Sequence, residues 1–139
     1  MTHLEFAREL FARDLYATEC TGAVIEAAEP GHSVCTLAVE AKHRNAGGTV
    51  MGGAIFTLAD FAFAVAANLN HLPTVAQSAQ ITYLTPGRGA QLRAEATCVR
   101  HGHTASFYRV DVTDETGTLV ASVTVNGFSS KKKEKKEGT

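Results

Sequence analysis

Charge is missing from the middle of this chain. From Asn45 through Gly87 there is no Lys, Arg or Glu and a single Asp, although charged residues make up 19% of the 139 residues. A helix formed from such a stretch is apolar on all sides, and a helix of that kind is buried rather than laid on a surface. A charge excess is missing too. The formal net charge is −1, which leaves no broad basic field for nucleic acid. Cysteine is scarce and odd in number. Cys20, Cys35 and Cys98 have no metal-like spacing and are expected to be small buried hydrophobes in strand-like segments, in a reducing compartment. The first residues lack a basic segment followed by an apolar core, so no secretory signal is expected and a cytoplasmic location is. Residues Gly53–Leu72 have the length of a membrane span but contain Asp60, Asn68, Asn70 and His71. A central Asp alone costs roughly 2.5–3.5 kcal/mol on insertion, which argues against a span.

What is present is a globular composition, 45% hydrophobic, enough for one domain with a core. That domain is expected over residues 1–128. Residues 129–139 include five lysines and are expected to form a solvated Lys/Glu-rich tail. Leu4, Ala7, Leu10, Phe11 and Leu15 recur at helical steps, with Glu5, Arg8, Glu9 and Arg13 between them. This predicts an amphipathic helix over 3–16 that frays into Thr18–Gly22. Residues 23–29 and a strand from Ser33, with Cys35, Leu37, Val39 and Ala41 on one face, predict a hairpin about Pro30-Gly31. His43–Gly48 reads as a loop. The long buried helix runs from about Gly53 to Asn68 and ends around Asn70–Pro73, because Pro73 disfavours helical geometry just before it. Strands are predicted over 74–84, 91–99, 104–113 and 118–128. The class is therefore α+β, a curved antiparallel sheet of five or six strands wrapped around a long central helix. Its unpaired edges suit dimerisation by continuing the sheet into a second copy.

Asp60 is the one carboxylate in the apolar stretch. Buried carboxylates are paired, protonated or functional, and one beside phenyl rings should have a raised pKa. Phe56, Phe63 and Ala67 lie on its side of the predicted helix at i−4, i+3 and i+7. Phe56 and Phe63 suit an apolar pocket and equally suit the core. Gly52 and Gly53 open the helix, where unpaired N–H groups and the helix dipole suit a developing oxyanion or a phosphate. A tight loop explains the glycines as well. Asn45 can hold a water or a substrate oxygen, or simply shape its turn. Ser78, on the strand after the helix, is a cleft hydrogen-bonder or an ordinary strand residue. Arg88, and Arg100 with His103, form small basic turns that would meet a phosphate-bearing ligand well. His101 and His103 flank Gly102 in a predicted hairpin turn without a third ligand at a familiar spacing, so no metal is expected.

Asn45-x5-Met51-Gly52-Gly53-Ala-Ile-Phe-Thr-Leu-Ala-Asp60-x-Ala-Phe-Ala-x-Ala-x-Asn68 resembles the active-site segment of the PaaI-like acyl-CoA thioesterases of the hotdog fold. Ile81-Thr-Tyr-Leu-Thr-Pro-Gly87, Arg100-x-Gly102-x-Thr104 and Gly117-x-Leu119-Val-Ala121 are similar to that family's strands and turns. The resemblance implies a hotdog fold, a dimer built on one continuous sheet, and a homotetramer made as a dimer of dimers. It implies hydrolysis of an acyl-CoA or aryl-acyl-CoA with Asp60 as nucleophile or general base. Asn45 would hold water or the thioester, Gly52 and Gly53 would supply the oxyanion hole, and Arg100 and His103 would lie near the coenzyme A phosphates. Family sites lie between subunits, so Asn45 and Asp60 would come from opposite chains. No cofactor is implied beyond the coenzyme A of the substrate. The family usually has His-Gly-Gly where this chain has Met51-Gly52-Gly53, and a thioether cannot polarise a carbonyl as a His can. That difference motivates an alternative, a non-catalytic acyl-CoA-binding protein. A hydratase fits less well, because the helix lacks an Asp/His pair.

Overall fold

Period-two alternation of apolar residues builds a six-stranded antiparallel sheet in the computed structural model, which describes residues 1–69 and 73–130. The strands are β1 (Val24–Glu29), β2 (His32–Ala38), β3 (Thr74–Tyr83), β4 (Gln91–His101), β5 (Ala105–Asp114) and β6 (Leu119–Ser129), in the spatial order β1-β2-β4-β5-β6-β3. Side chains at every second position point to one face. On that face Cys35 and Leu37 of β2, Leu92, Ala94 and Ala96 of β4, Tyr108, Val110 and Val112 of β5, and Val123 and Val125 of β6 are buried. They pack on helix α2 (Gly52–Ala67), whose Ile55, Leu58, Ala59, Ala62, Phe63, Val65 and Ala66 are also buried. Phe63 meets Tyr108 edge to face at 5.2 Å between ring centroids, an arrangement that aromatic quadrupoles favour.

Polar anchors fix the helix along the sheet. Ser33 of β2 donates its hydroxyl to the Ala62 carbonyl at 2.6 Å, and the Gly31 amide donates to Ala66 O at 2.9 Å. At the C-terminus Asn68 satisfies the chain on both sides, donating to Ala64 O and Thr74 O while accepting from Thr74 N at 2.7 Å. The helix thus ends at Ala67, ahead of the expected break. The expected helix end at residues 70–72 and the expected tail at 131–139 lie outside the described residues.

The N-terminal helix is shorter than its apolar spacing suggests. Helix α1 (His3–Phe11) opens with a capping box between Thr2 and Glu5 and packs through Ala7 and Phe11. Arg8 pins it to the Ile25 carbonyl of β1 with two bonds, 2.8 and 3.0 Å. It stops after nine residues, about two and a half turns, packed against β1. Leu15, counted in the periodic stripe, leaves the stripe and stays exposed. The segment expected to fray instead winds into a π-helical turn, Tyr16–Thr21, closed by Gly22 at φ 95°. Cys20 sits exposed on that turn, not in a strand, while Cys35 is buried and Cys98 half-buried. The loop after β2 is likewise ordered, with a 3-10 turn at Ala41–His43 and a bridge between Arg44 and Val50.

Strand β3 is the exception in the sheet. It forms one edge and, apart from Thr74 and the half-buried Ile81, every residue along it is exposed. No helix among the described residues is long and apolar enough to cross a membrane.

Candidate active site

The face of α2 turned away from the sheet carries Gly53, Phe56, Thr57, Asp60 and Ala64, spaced as one helical stripe. The link after α1 crosses this stripe. Between them lies a cavity of about 540 Å³ lined by Arg13, Asp14, Leu15, Tyr16, Ala17, Phe56, Thr57, Asp60, Phe61 and Ala64. A second cavity of about 340 Å³ continues toward the helix start and contains Tyr16, His43, Met51, Gly53, Ala54 and Thr57. Tyr16 and Thr57 wall both, so one trough runs from the glycines to Asp60.

Asp60 reaches solvent in the single chain, yet protein crowds it on the helix side. Desolvation raises its pKa above the ordinary carboxylate value, and the nearby Asp14 carboxylate adds to the rise. Losing hydration and facing a like charge both disfavour the ionised form. A carboxyl whose pKa is raised in a partly apolar cavity is, once ionised, a stronger proton acceptor than an ordinary aspartate.

At the head of the helix, Met51 is the N-cap and contributes no side-chain hydrogen bond. Its amide donates to His43 O at 2.8 Å, and its methyl lies 3.6 Å from where a Gly53 Cβ would sit. The Ala54 and Ile55 amides turn back to Met51 O. The Gly52 and Gly53 amides find no acceptor among the described residues, as expected of the first helical positions. They remain donors. Seven residues separate Gly53 from Asp60, about 10 Å of helix at 1.5 Å per residue. A single carbonyl oxygen cannot accept from Gly53 N–H while its carbon meets the Asp60 carboxylate of the same chain.

His43 braces this mouth from behind. Its Nδ1 accepts from the Glu40 amide at 2.9 Å, so the proton sits on Nε2, which donates to the Thr21 carbonyl at 2.6 Å. The ring is 5% exposed and ties the π turn to the loop that precedes α2.

The other expected site residues are dispersed. Asn45 is exposed and uses its carboxamide on its own loop, where Oδ1 accepts from Gly47 N and Thr49 N while Nδ2 donates to Thr49 Oγ1. Phe56 shares the cavity with Asp60, but Phe63 does not. It points to the sheet at 1% exposure, and Phe61 and Ala64 occupy the cavity wall where the i+3 spacing suggested Phe63. Ser78 lies exposed on β3 and accepts from Asn126 Nδ2 at 2.9 Å. Arg88 is exposed beside Gly87, whose carbonyl accepts the Val50 amide, so it belongs to the helix-mouth end. Arg100 and His103 are exposed at the β4–β5 turn, toward the opposite end of the sheet. Among the described residues no three His, Cys, Asp or Glu side chains cluster as metal ligands would.

A family model described as "Thioesterase superfamily" matches residues 47–121. The chain belongs to that superfamily. Acyl-coenzyme A thioesterase 13 of Homo sapiens is 36% identical over 98 residues, 68% of this chain and 70% of that one. Acyl-coenzyme A thioesterase PaaI of Escherichia coli is 31% identical over 116 residues, 83% of this chain and 82% of that one. The solved E. coli PaaI structure aligns with a TM-score of 0.81 at 27% identity, covering 91% and 96% of the two chains. A thioesterase from Streptococcus pneumoniae solved with coenzyme A aligns with a TM-score of 0.80 at 28% identity, covering 88% and 96%. This thioesterase is therefore of the PaaI-like hotdog kind.

Two contributors to the site escape sequence reading. Asp14, Leu15 and Tyr16 continue the amphipathic pattern, with Leu15 in its apolar stripe, and read as part of an ordinary helix. The Thr2–Glu5 capping box fixes the start of α1 but says nothing of where it stops. Tyr83 is the other, and its contact with Gly52 spans 31 residues.

Proposed function

We propose that this thioesterase hydrolyses the thioester of an acyl-CoA or aryl-acyl-CoA at a site shared by two copies of the chain. The observation that carries the reading is Asp60, a carboxyl with a raised pKa in a cavity walled by Phe56, Phe61, Leu15 and Tyr16, with Arg13 and Asp14 at the same cavity. The apolar wall suits an acyl or aryl group. The printed names of the human and E. coli relatives as acyl-CoA thioesterases, and the coenzyme A bound by the pneumococcal relative, support the substrate class.

The chemistry follows from where charge develops. Asp60 takes a proton from water, or attacks the thioester carbon itself. In either route the carbonyl oxygen becomes an oxyanion, and Gly52 and Gly53 amides supply donors to it. The tetrahedral intermediate collapses and the C–S bond breaks. In the water route the proton taken by Asp60 passes to the departing thiolate. In the direct route the Asp60–acyl anhydride left behind is hydrolysed by water, which restores the carboxylate, releases the acid and supplies the proton for the coenzyme A thiol. A pre-aimed donor of this kind is typically worth about 2.7–4 kcal/mol of barrier. Because about 10 Å of helix separates the donors from Asp60, the donors and Asn45 come from one copy and Asp60 from the other. The exposed β3 edge is where a second copy would continue the sheet, and a dimer of such dimers is compatible with it. Arg88 lies at the helix mouth and would meet a coenzyme A phosphate there. Arg100 and His103 would meet one only from a neighbouring copy. No metal enters this route. The cytoplasm, where thiols such as Cys20 stay reduced, is the compartment that fits.

Thiol release from a panel of acyl-CoAs tests this directly. Wild type should release coenzyme A from at least one member, and Asp60→Asn should lose activity by orders of magnitude while keeping its melting temperature or raising it. An Asp60→Asn protein with wild-type rates would remove Asp60 from the chemistry. Met51, in the position where a His is usual for the family, supports a second reading as a non-catalytic acyl-CoA binder. Tight binding across the panel without thiol release would favour it.

A further inference from the structure

We infer that Tyr83 is a positioning residue for the Gly53 amide and does part of the work that a His at position 51 would otherwise do. The inference rests on the thioesterase reading for its kinetic consequence, but the contact itself does not. Tyr83 comes from β3, and its hydroxyl donates to the Gly52 carbonyl at 2.9 Å. The hydroxyl end of the ring comes so near Gly52 that a Cβ there would sit 2.9 Å from Cζ and Oη, closer than real Cβ atoms come. Glycine at position 52 and tyrosine at position 83 therefore fit as a pair.

The Gly52 carbonyl and the Gly53 N–H belong to one planar peptide and point in opposite directions. Holding the carbonyl holds the amide. A donor on the carbonyl also draws electron density from the peptide and makes its N–H a stronger donor, because hydrogen bonds in series polarise one another. Gly52 is the first residue of α2, so its carbonyl already serves the helical ladder. Tyr83 adds an external donor to that same oxygen, at a peptide whose glycines restrain it less than other residues would. Met51, with no side-chain bond to the helix head, supplies no such restraint.

The test compares wild type with Tyr83→Phe, which keeps the ring and removes only the hydroxyl. Two readouts are taken: steady-state hydrolysis of the best acyl-CoA in the panel, and the Gly53 amide proton resonance in ¹⁵N-labelled protein. The expected result is a kcat lower by about five- to tenfold with KM within about twofold, an upfield move of the Gly53 resonance, and an unchanged melting temperature. An unchanged kcat, a loss confined to KM, or an unmoved Gly53 resonance would overturn the inference. If wild type hydrolyses no thioester, the proposed function fails, and the Gly53 resonance alone then decides whether the clamp exists.

Discussion

In the proposed mechanism Asp60 sets the pH behaviour of the site. Its pKa is raised by desolvation and by Asp14, so its ionised form appears at higher pH than that of an ordinary aspartate. The acid limb of kcat/KM should report that raised value in the free enzyme. Asp14→Asn removes the like charge and should move the limb to lower pH while leaving the plateau near wild type. A pH–rate profile that does not move would exclude Asp14 as a tuning group. Stability runs the other way. With the folded pKa above the unfolded one, the unfolded chain releases its proton first as pH rises. Wild-type stability therefore falls through that window, and the penalty is complete above the folded pKa. Asp60→Asn cannot ionise, so it should melt higher than wild type at neutral pH and equal to it below about pH 3.9, the unperturbed value. Equal melting at both pH values would refute the shift. Asp60 was legible in the sequence because it is the one charge in a long apolar run. Asp14 and Tyr83 were not, because each acts through a contact between segments far apart along the chain.

The elements around the helix mouth hold one another through His43. Its tautomer is fixed by two backbone partners, Glu40 N–H on one nitrogen and Thr21 C=O on the other. His43→Ala leaves both without a side-chain partner in a nearly closed space and should destabilise the fold by about 2–3 kcal/mol, read as a shift in the urea midpoint at unchanged slope. The Met51 amide, bonded to His43 O, should exchange faster in that variant. An unchanged midpoint would mean that water replaces the ring. The sheet and the long helix were legible from period-two alternation and from the uncharged stretch, since both patterns are local. The end of α1 and the π turn were not. Leu15 continues a helical spacing, and only the pinning of Arg8 to β1 and the packing of Phe11 on Phe61 show that the helical face is already used up before it. The placement of β3 beside β6 was equally hidden, since the outer strands look alike in composition and differ only in which neighbour they find.

At the scale of the whole molecule, the distance along α2 is what favours the proposed site between two copies. Gly53 and Asp60 stand two helical turns apart on one open stripe, and Asn45 spends its carboxamide on its own loop. Under the proposed mechanism the Gly53 donor and the Asp60 carboxyl of one chain stand too far apart to act on one thioester carbonyl, and a two-fold pair that set the mouth of one helix against the middle of the other would bring them together. The resemblance of the active-site segment pointed to sites between subunits, and the helix geometry supplies a physical reason for them. The proposed two-fold dimer would hold two equivalent sites, each drawing Asn45 from one copy and Asp60 from the other. Asn45→Ala and Asp60→Asn should each be nearly inactive alone. Mixed, unfolded and refolded together in equal amounts, half of the dimers combine one chain of each kind, and each such dimer carries one site with both residues intact. The mixture should recover about a quarter of the wild-type rate, as two-fold symmetry requires. A site built within one chain would recover nothing, because every copy would still lack one of the two residues. Recovery that falls on dilution, together with a shift to monomer by sedimentation when Val75 and Ala79 on the open β3 edge are both replaced by Lys, would tie the shared site to that edge. Recovery retained in a Val75→Lys/Ala79→Lys background would place the pairing surface elsewhere.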